Sequence, residues 1–233
     1  MLPDSMSFSR SLVLLLITGR AALAQGFNVD YGSATPPPSS AFGGAAQQPG
    51  SWNNLTGLEE EPVALVDVGG QASAVTIVPD LPFGPASFDH PSTMGDLEAM
   101  LDDYLDLHSV PADFHVQGLP AGTYVVYTYA WAPDESGFKT SVTVNGADTQ
   151  LVGGAWPGGL RAGVTHARHT VGIATGESLD IHTFGLGKGT LNGLQIVRVE
   201  NAFSDLGGGV EGESGLPELL GVSTLEPASA VTL

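Results

Sequence analysis

Between residues 114 and 199 the chain never runs far without a turn signal, and that spacing limits it to short strands. Leu119-Pro120-Ala121-Gly122 and Asn145-Gly146 are two such signals. The segment 153–163 and Gly185-Leu186-Gly187-Lys188-Gly189 are two more. The runs between them read as strands: 114–116, 123–131, 140–144, 149–152, 164–173, 179–184 and 191–199. The run TYVVYTYAW at 123–131 is apolar or aromatic at both parities, which marks a central strand covered on both faces. Asn145-Gly146 is a strong hairpin signal, because both residues accept a positive φ.

Upstream the same texture holds. Residues 27–31 alternate and stop at Gly32, 33–49 form a long loop rich in Pro, Ser, Gly and Ala, and Trp52 follows at its end. Runs 63–68 and 72–78 read as strands, and 81–91 as irregular. One segment departs: 94–108 places Leu97, Met100, Leu101, Tyr104 and Leu105 at helical spacing, with Asp and Glu between them. That pattern predicts a single amphipathic helix, capped by Ser92 or Thr93. Strands joined by short turns, plus one helix, predict an all-β antiparallel sandwich (a jelly roll) with one inserted helix. Its core is expected at Val125, Tyr127, Val142, Val144, Val171, Ile173, Leu194 and Ile196.

The ends read differently. Arg10, the apolar run 12–17 and Ala22-Leu23-Ala24 have the layout of a secretory leader cleaved before Gln25. From Asn201 on, Gly207-Gly208-Gly209 and Glu211, Glu213 and Glu218 lack periodicity. The expected division is a signal peptide at 1–24, a sandwich at 25–200 and an acidic, Gly-rich disordered tail at 201–233. The expected location is secreted or cell-envelope, with no later segment near the ~20 apolar residues of a membrane helix.

Charge and missing motifs narrow the function. With 25 acidic and 7 basic residues the chain carries a formal charge of -18, which repels phosphate backbones and argues against nucleic-acid binding. Without cysteine there is no thiolate chemistry and no disulfide framework. Neither a G-x-S-x-G elbow, an H-E-x-x-H pair nor a P-loop occurs. Gly185–Gly189 lacks Walker spacing and reads as a turn. His166 and His169 lie on opposite faces of their strand, His169 half-buried and His166 exposed, and read as structural. Asp102 and Asp106 share a face of the expected helix and read as a solvated surface. Asn54-Leu55-Thr56 is a formal glycosylation sequon. No residue is expected to be catalytic.

The aromatics offer a binding chemistry. Trp52 and Trp156 both stand in Gly/Pro-rich loop sequence, where an indole either stacks on a sugar ring or plugs the end of the sandwich. Trp131 shares parity with Tyr127 and Tyr129 and reads as core. Trp156, Trp52 and Asn53 are the candidate ligand-binding residues.

The motifs FNVDYG, GSWN, LPAGTYVVYTYAWAP, VTVNG, GGAWPGG and LNGLQIV, in this order over 27–199, resemble galactose-binding-like, malectin-like jelly-roll modules of exported bacterial proteins. That resemblance implies a non-catalytic module, often for carbohydrate and sometimes with a structural Ca²⁺; otherwise no cofactor is expected. Leu225-Glu226-Pro227-Ala228-Ser229 resembles the start of a PEP-CTERM sorting signal, without the apolar span and basic end that continue one. The expected partner is a carbohydrate or a cell-envelope component. The alternative role is a structural or adhesive envelope protein without a specific small ligand.

Overall fold

The computed structural model describes residues 25–32, 34–80 and 84–199, with backbone alone at 79 and 80. The expected leader at 1–24 and tail at 201–233 lie outside the described residues. In chain order the elements are β1 (Phe27–Tyr31), β2 (Trp52–Leu55), β3 (Val63–Val66), β4 (Ala72–Asp80), β5 (Pro85–Ser87), α1 (Asp96–Leu101), β6 (Asp103–Asp106) and β7 (Pro111–Gln117). They continue with β8 (Gly122–Tyr129), β9 (Lys139–Val144), β10 (Gln150–Val152), β11 (His166–Ile173), β12 (Leu179–Leu186), β13 (Thr190–Leu191) and β14 (Gly193–Val199).

Two sheets face each other. One has the order β11-β8-β14-β1-β2 and the other β10-β9-β12-β7-β4-β3; a small third sheet, β13-β6-β5, stands beside them. The pairing is antiparallel as expected, except that β2 runs parallel to β1. Asn145 and Gly146 both take positive φ, 45° and 71°, and Ala147 N–H closes the turn on Val144 O at 2.8 Å. The core between the sheets takes Val142, Val144, Val171, Ile173, Leu194 and Ile196, six of the eight expected positions.

The face assignment of β8 is the reverse of the expected one. Tyr124, Val126 and Ala130 enter the inter-sheet core, while Tyr129 and Trp131 join a second apolar cluster against which Tyr127 packs. Met100 and Leu101 belong to that cluster, and Phe42, Trp52, Leu97, Trp156, Leu160 and Val164 pack on it. The outer face of the five-stranded sheet is thus roofed by α1 and by two long loops. His166 is buried for the same reason, not exposed, and burial pushes its pKa down to about 4. His169 is also fully inside, with Nε2 at 3.0 Å from Asp148 O.

Three further expectations differ from the structure. The helix spans Asp96–Leu101 alone, and Asp103 begins a strand paired with β5, which also pairs with β13 at Leu105 and Asp106. Asp102 is buried and Asp106 lies on β6, so the two form no solvated helix face, and Asp103 between them is buried as well. Thr93 Oγ1 donates to Asp102 at 2.8 Å, and Thr35 N–H and Oγ1 donate to Asp103 Oδ2 at 3.2 and 3.1 Å. Those bonds hold the carboxylates inward, and ladder pairing takes over from helical propensity at Asp103. Trp52 is the first residue of β2 rather than part of a loop. Among the described residues no helix is long and apolar enough to cross a membrane.

Candidate functional site

The chain leaves β8 at Tyr129, and Trp131 is fixed where it exits the sheet. Its backbone N–H donates to Asn192 Oδ1 at 2.8 Å, and its indole N–H donates to Gly154 O at 2.9 Å. The second bond fastens the loop between β10 and β11 onto the indole. That loop starts at Gly153, with φ 133°, where a Cβ would stand 2.5 Å from Phe138 O; only glycine fits so close a backbone approach. The loop then carries Trp156 to within 4.9 Å of Trp131, centroid to centroid, at a tilt of 49°.

A third wall comes from before α1. His90 N–H donates to Asp102 Oδ2 at 2.9 Å, and Thr93 Oγ1 lies 2.8 Å from both Asp102 oxygens and from His90 O. Asp102 therefore positions the turn that sets His90 edge-on to Trp131, at 5.0 Å and 79°, and 6.1 Å from Trp156. Burial raises the Asp102 carboxyl, against the bonds from His90 and Thr93 that favour its charged form. Between these walls lies a cleft of about 280 Å³, lined among others by Phe88, His90, Trp131, Asp134, Glu135 and Trp156. Trp131 is its buried floor, Trp156 is half-buried, and Phe88 is 43% exposed at the rim. Asp134 and Glu135 lie exposed on the loop after β8. The field of Asp134 reaches Tyr104, whose hydroxyl is pushed up to about 12 by burial first and by Asp134 next.

The three candidate residues do not converge. Trp156 lines the cleft. Trp52 stands on the outer face of β2, stacked on Phe42 at 5.9 Å and 27°, with its indole nitrogen buried. Asn53 points to the opposite face of that strand. Its amide donates to Asn28 O and Val66 O, both at 2.9 Å, and accepts from Val66 N–H at 2.8 Å. It thereby ties β2 to β3 in the other sheet. Phe88 and His90, in the stretch read as irregular, and Asp134 and Glu135 complete the cleft instead. The usable signal was Trp131-Ala132-Pro133-Asp134-Glu135: an aromatic, a proline and two acids directly after the most apolar strand.

A structural Ca²⁺ would have to take its ligands from the orphaned buried oxygens. Asp30 is fully buried and neither carboxylate oxygen has a hydrogen-bond partner; Asp103 Oδ1 is likewise buried and unpaired. Burial, and then the charge of Asp103, push the Asp30 carboxyl up to about 9. Calcium takes six to eight oxygens. Here Asp103 Oδ2 is already engaged by Thr35, and the Met100 methyl fills the space over Gly193, the ladder partner of Asp30. Among the described residues no three acidic or imidazole side chains gather round one point. The residues do not fit calcium; they fit a neutral Asp30 acid beside Asp103.

No protein-family model matches the chain, and no curated protein matches it in sequence. Solved structures similar to it include carbohydrate-binding modules and enzymes. A family 35 carbohydrate-binding module from Clostridium thermocellum is 12% identical, with a TM-score of 0.34 over 53% of this chain and 92% of that one. The C-terminal family 6 module of a marine laminarinase from Zobellia galactanivorans is 13% identical, with a TM-score of 0.28 over 41% of this chain and 80% of that one. A β-glucuronidase from Bacteroides uniformis is 13% identical, with a TM-score of 0.43 over 75% of this chain and 18% of that one. At those scores, the reading of the site rests on this chain's own geometry.

Proposed function

We propose that this chain is an exported, non-catalytic β-sandwich module that binds carbohydrate in the cleft between His90, Trp131 and Trp156. The observation that carries the reading is the Trp156 indole, half-exposed in an open cleft and held against a buried Trp131, with carboxylates at the rim. An indole face packs on the C–H groups of a pyranose, and rim carboxylates accept hydrogen bonds from its hydroxyls. Preformed walls lower the ordering cost on binding. One stacking platform supports affinities of about micromolar to millimolar. A purely structural spacer would bury its indoles fully, as Trp131 is buried; Trp156 is not.

Trp156→Ala is expected to abolish retention on a glycan array while shifting the melting temperature by only a few degrees. The end-plug alternative forecasts a stability loss of about 3–5 kcal/mol, because truncating a packed indole leaves a cavity. A large fall in melting temperature, together with no glycan bound by the unmodified protein, refutes the binding reading. Export carries its own test. N-terminal sequencing of secreted protein should read Gln25 first, after loss of the leader at 1–24. Extracellular protein that keeps Met1 contradicts it.

A further inference from the structure

Asp134 and Glu135 line the cleft, and among the described residues no lysine or arginine does; the His90 imidazole is the other ionisable group in its lining. Glu135 Oε1 accepts a hydrogen bond from Gly137 N–H at 3.1 Å, which orients that carboxylate. Facing them are Trp131 and Trp156, whose negative ring faces also attract cations. Two adjacent carboxylates beside low-dielectric aromatic walls focus a negative potential into the opening, on a chain whose formal charge is already -18. A neutral hydroxyl gains little from that field, and a carboxylated or sulfated sugar is repelled by it. An ammonium group gains charge-assisted hydrogen bonds, roughly twice as strong as neutral ones.

We infer that the cleft selects glycans bearing a free amino group, with Asp134 and Glu135 taking the ammonium while Trp156 carries the sugar ring. This inference rests on the carbohydrate-binding reading and specifies its ligand class. Selectivity then lies in the loop after β8 and ring packing in the loop after β10. A de-N-acetylated amino sugar meets both, whereas its N-acetylated form keeps the ring and loses the charge.

The test is calorimetric titration of the whole chain with β-1,4-linked glucosamine oligomers, their fully N-acetylated counterparts and β-1,4-linked glucose oligomers. It is run at ionic strengths of about 0.02 M and about 0.5 M. The amino form should bind at least about tenfold tighter than the acetylated form at low salt, with the ratio shrinking at high salt. The Asp134→Asn, Glu135→Gln double variant, altered at exposed loop positions, should keep the melting temperature and bring that ratio to about one. Equal binding of both forms by the unmodified chain overturns the inference and leaves the carbohydrate-binding reading standing. Binding of the amino form that survives Trp156→Ala also overturns it, by showing attraction to the acidic surface at large. Failure to bind any of the three glycans overturns the inference; the glycan array, which spans far more sugars, judges the broader reading separately.

Discussion

Asp30→Asn should make the protein more stable at pH 8 than the unmodified chain, and the two should converge below about pH 4. Asp30 is buried on β1 with neither oxygen paired, and its carboxyl is pushed from 3.8 up to about 9. The folded chain therefore keeps a proton there that the unfolded chain releases once the pH passes 3.8. Stability from this group is complete below the unfolded value and is lost as pH rises through the folded one. At about 1.4 kcal/mol per pH unit, linkage from 3.8 to about 9 puts the whole loss at about 7 kcal/mol. His166 acts with the opposite sign, since its pKa is lowered to about 4: its contribution is present above 6.5 and is lost as pH falls towards 4. The two partly offset each other between pH 4 and 6.5. Above that window Asp30 governs, and the unmodified protein should lose stability up to pH 9. Asparagine has nearly the same shape and no proton to lose, so the difference in melting temperature between the two proteins isolates Asp30. A difference that stays flat from pH 5 to 9 rules out the buried acid. A melting temperature raised by calcium in the unmodified protein and not in the variant replaces the proton with a cation.

The strands were legible because period-two patterning and burial agree where both sides of a strand are decided locally. In Lys139–Val144 buried residues alternate with half-buried ones, as the sequence KTSVTV alternates. The faces of β8 were not legible. TYVVYTY is apolar at both parities, so nothing local says which face meets the second sheet. The same roof of loops that hides Tyr129 hides His166, and a strand's sequence does not announce what a loop more than eighty positions away will cover, as Ala45 N–H covers Tyr129 Oη at 2.6 Å. The segment 94–108 failed for a related reason. Its apolar spacing stays helical through Leu105, yet the helix ends at Leu101, and the contacts that stop it come from Thr35, Thr93 and the strands of the small third sheet. In the cleft, Trp156 was legible from its Gly/Pro setting. Trp131 was read as core, which it is, and its second role as the floor depends on His90 arriving from a different segment.

Asn192→Ala should be among the most damaging single changes to the fold, and it should disable the cleft as well. Asn192 is fully buried between β13 and the final strand, within LNGLQIV. Its Oδ1 accepts Trp131 N–H at 2.8 Å, and its Nδ2 donates to Leu101 O at 2.9 Å and to Asp103 O at 3.2 Å. Its own backbone bonds to Tyr129 O at 2.9 Å and to Tyr31 N–H at 2.8 Å. One amide thus joins the exit of β8, the end of α1 and the start of β6. Alanine leaves three buried backbone groups unpaired, at about 1–3 kcal/mol each, or roughly 3–9 kcal/mol together. For a domain of this size that lowers the melting temperature by roughly 10–30 °C. Asn192→Asp separates pairing from volume. Aspartate keeps the acceptor for Trp131 but turns a carboxylate oxygen toward the Leu101 and Asp103 carbonyls, so it should be at least as harmful as alanine. Glycan retention should fall in the alanine variant even well below its melting temperature, because Trp131 loses the bond that fixes it beneath Trp156. A shift of only about 2 °C in the alanine variant, or an aspartate variant as stable as the unmodified protein, would refute the role given to this amide.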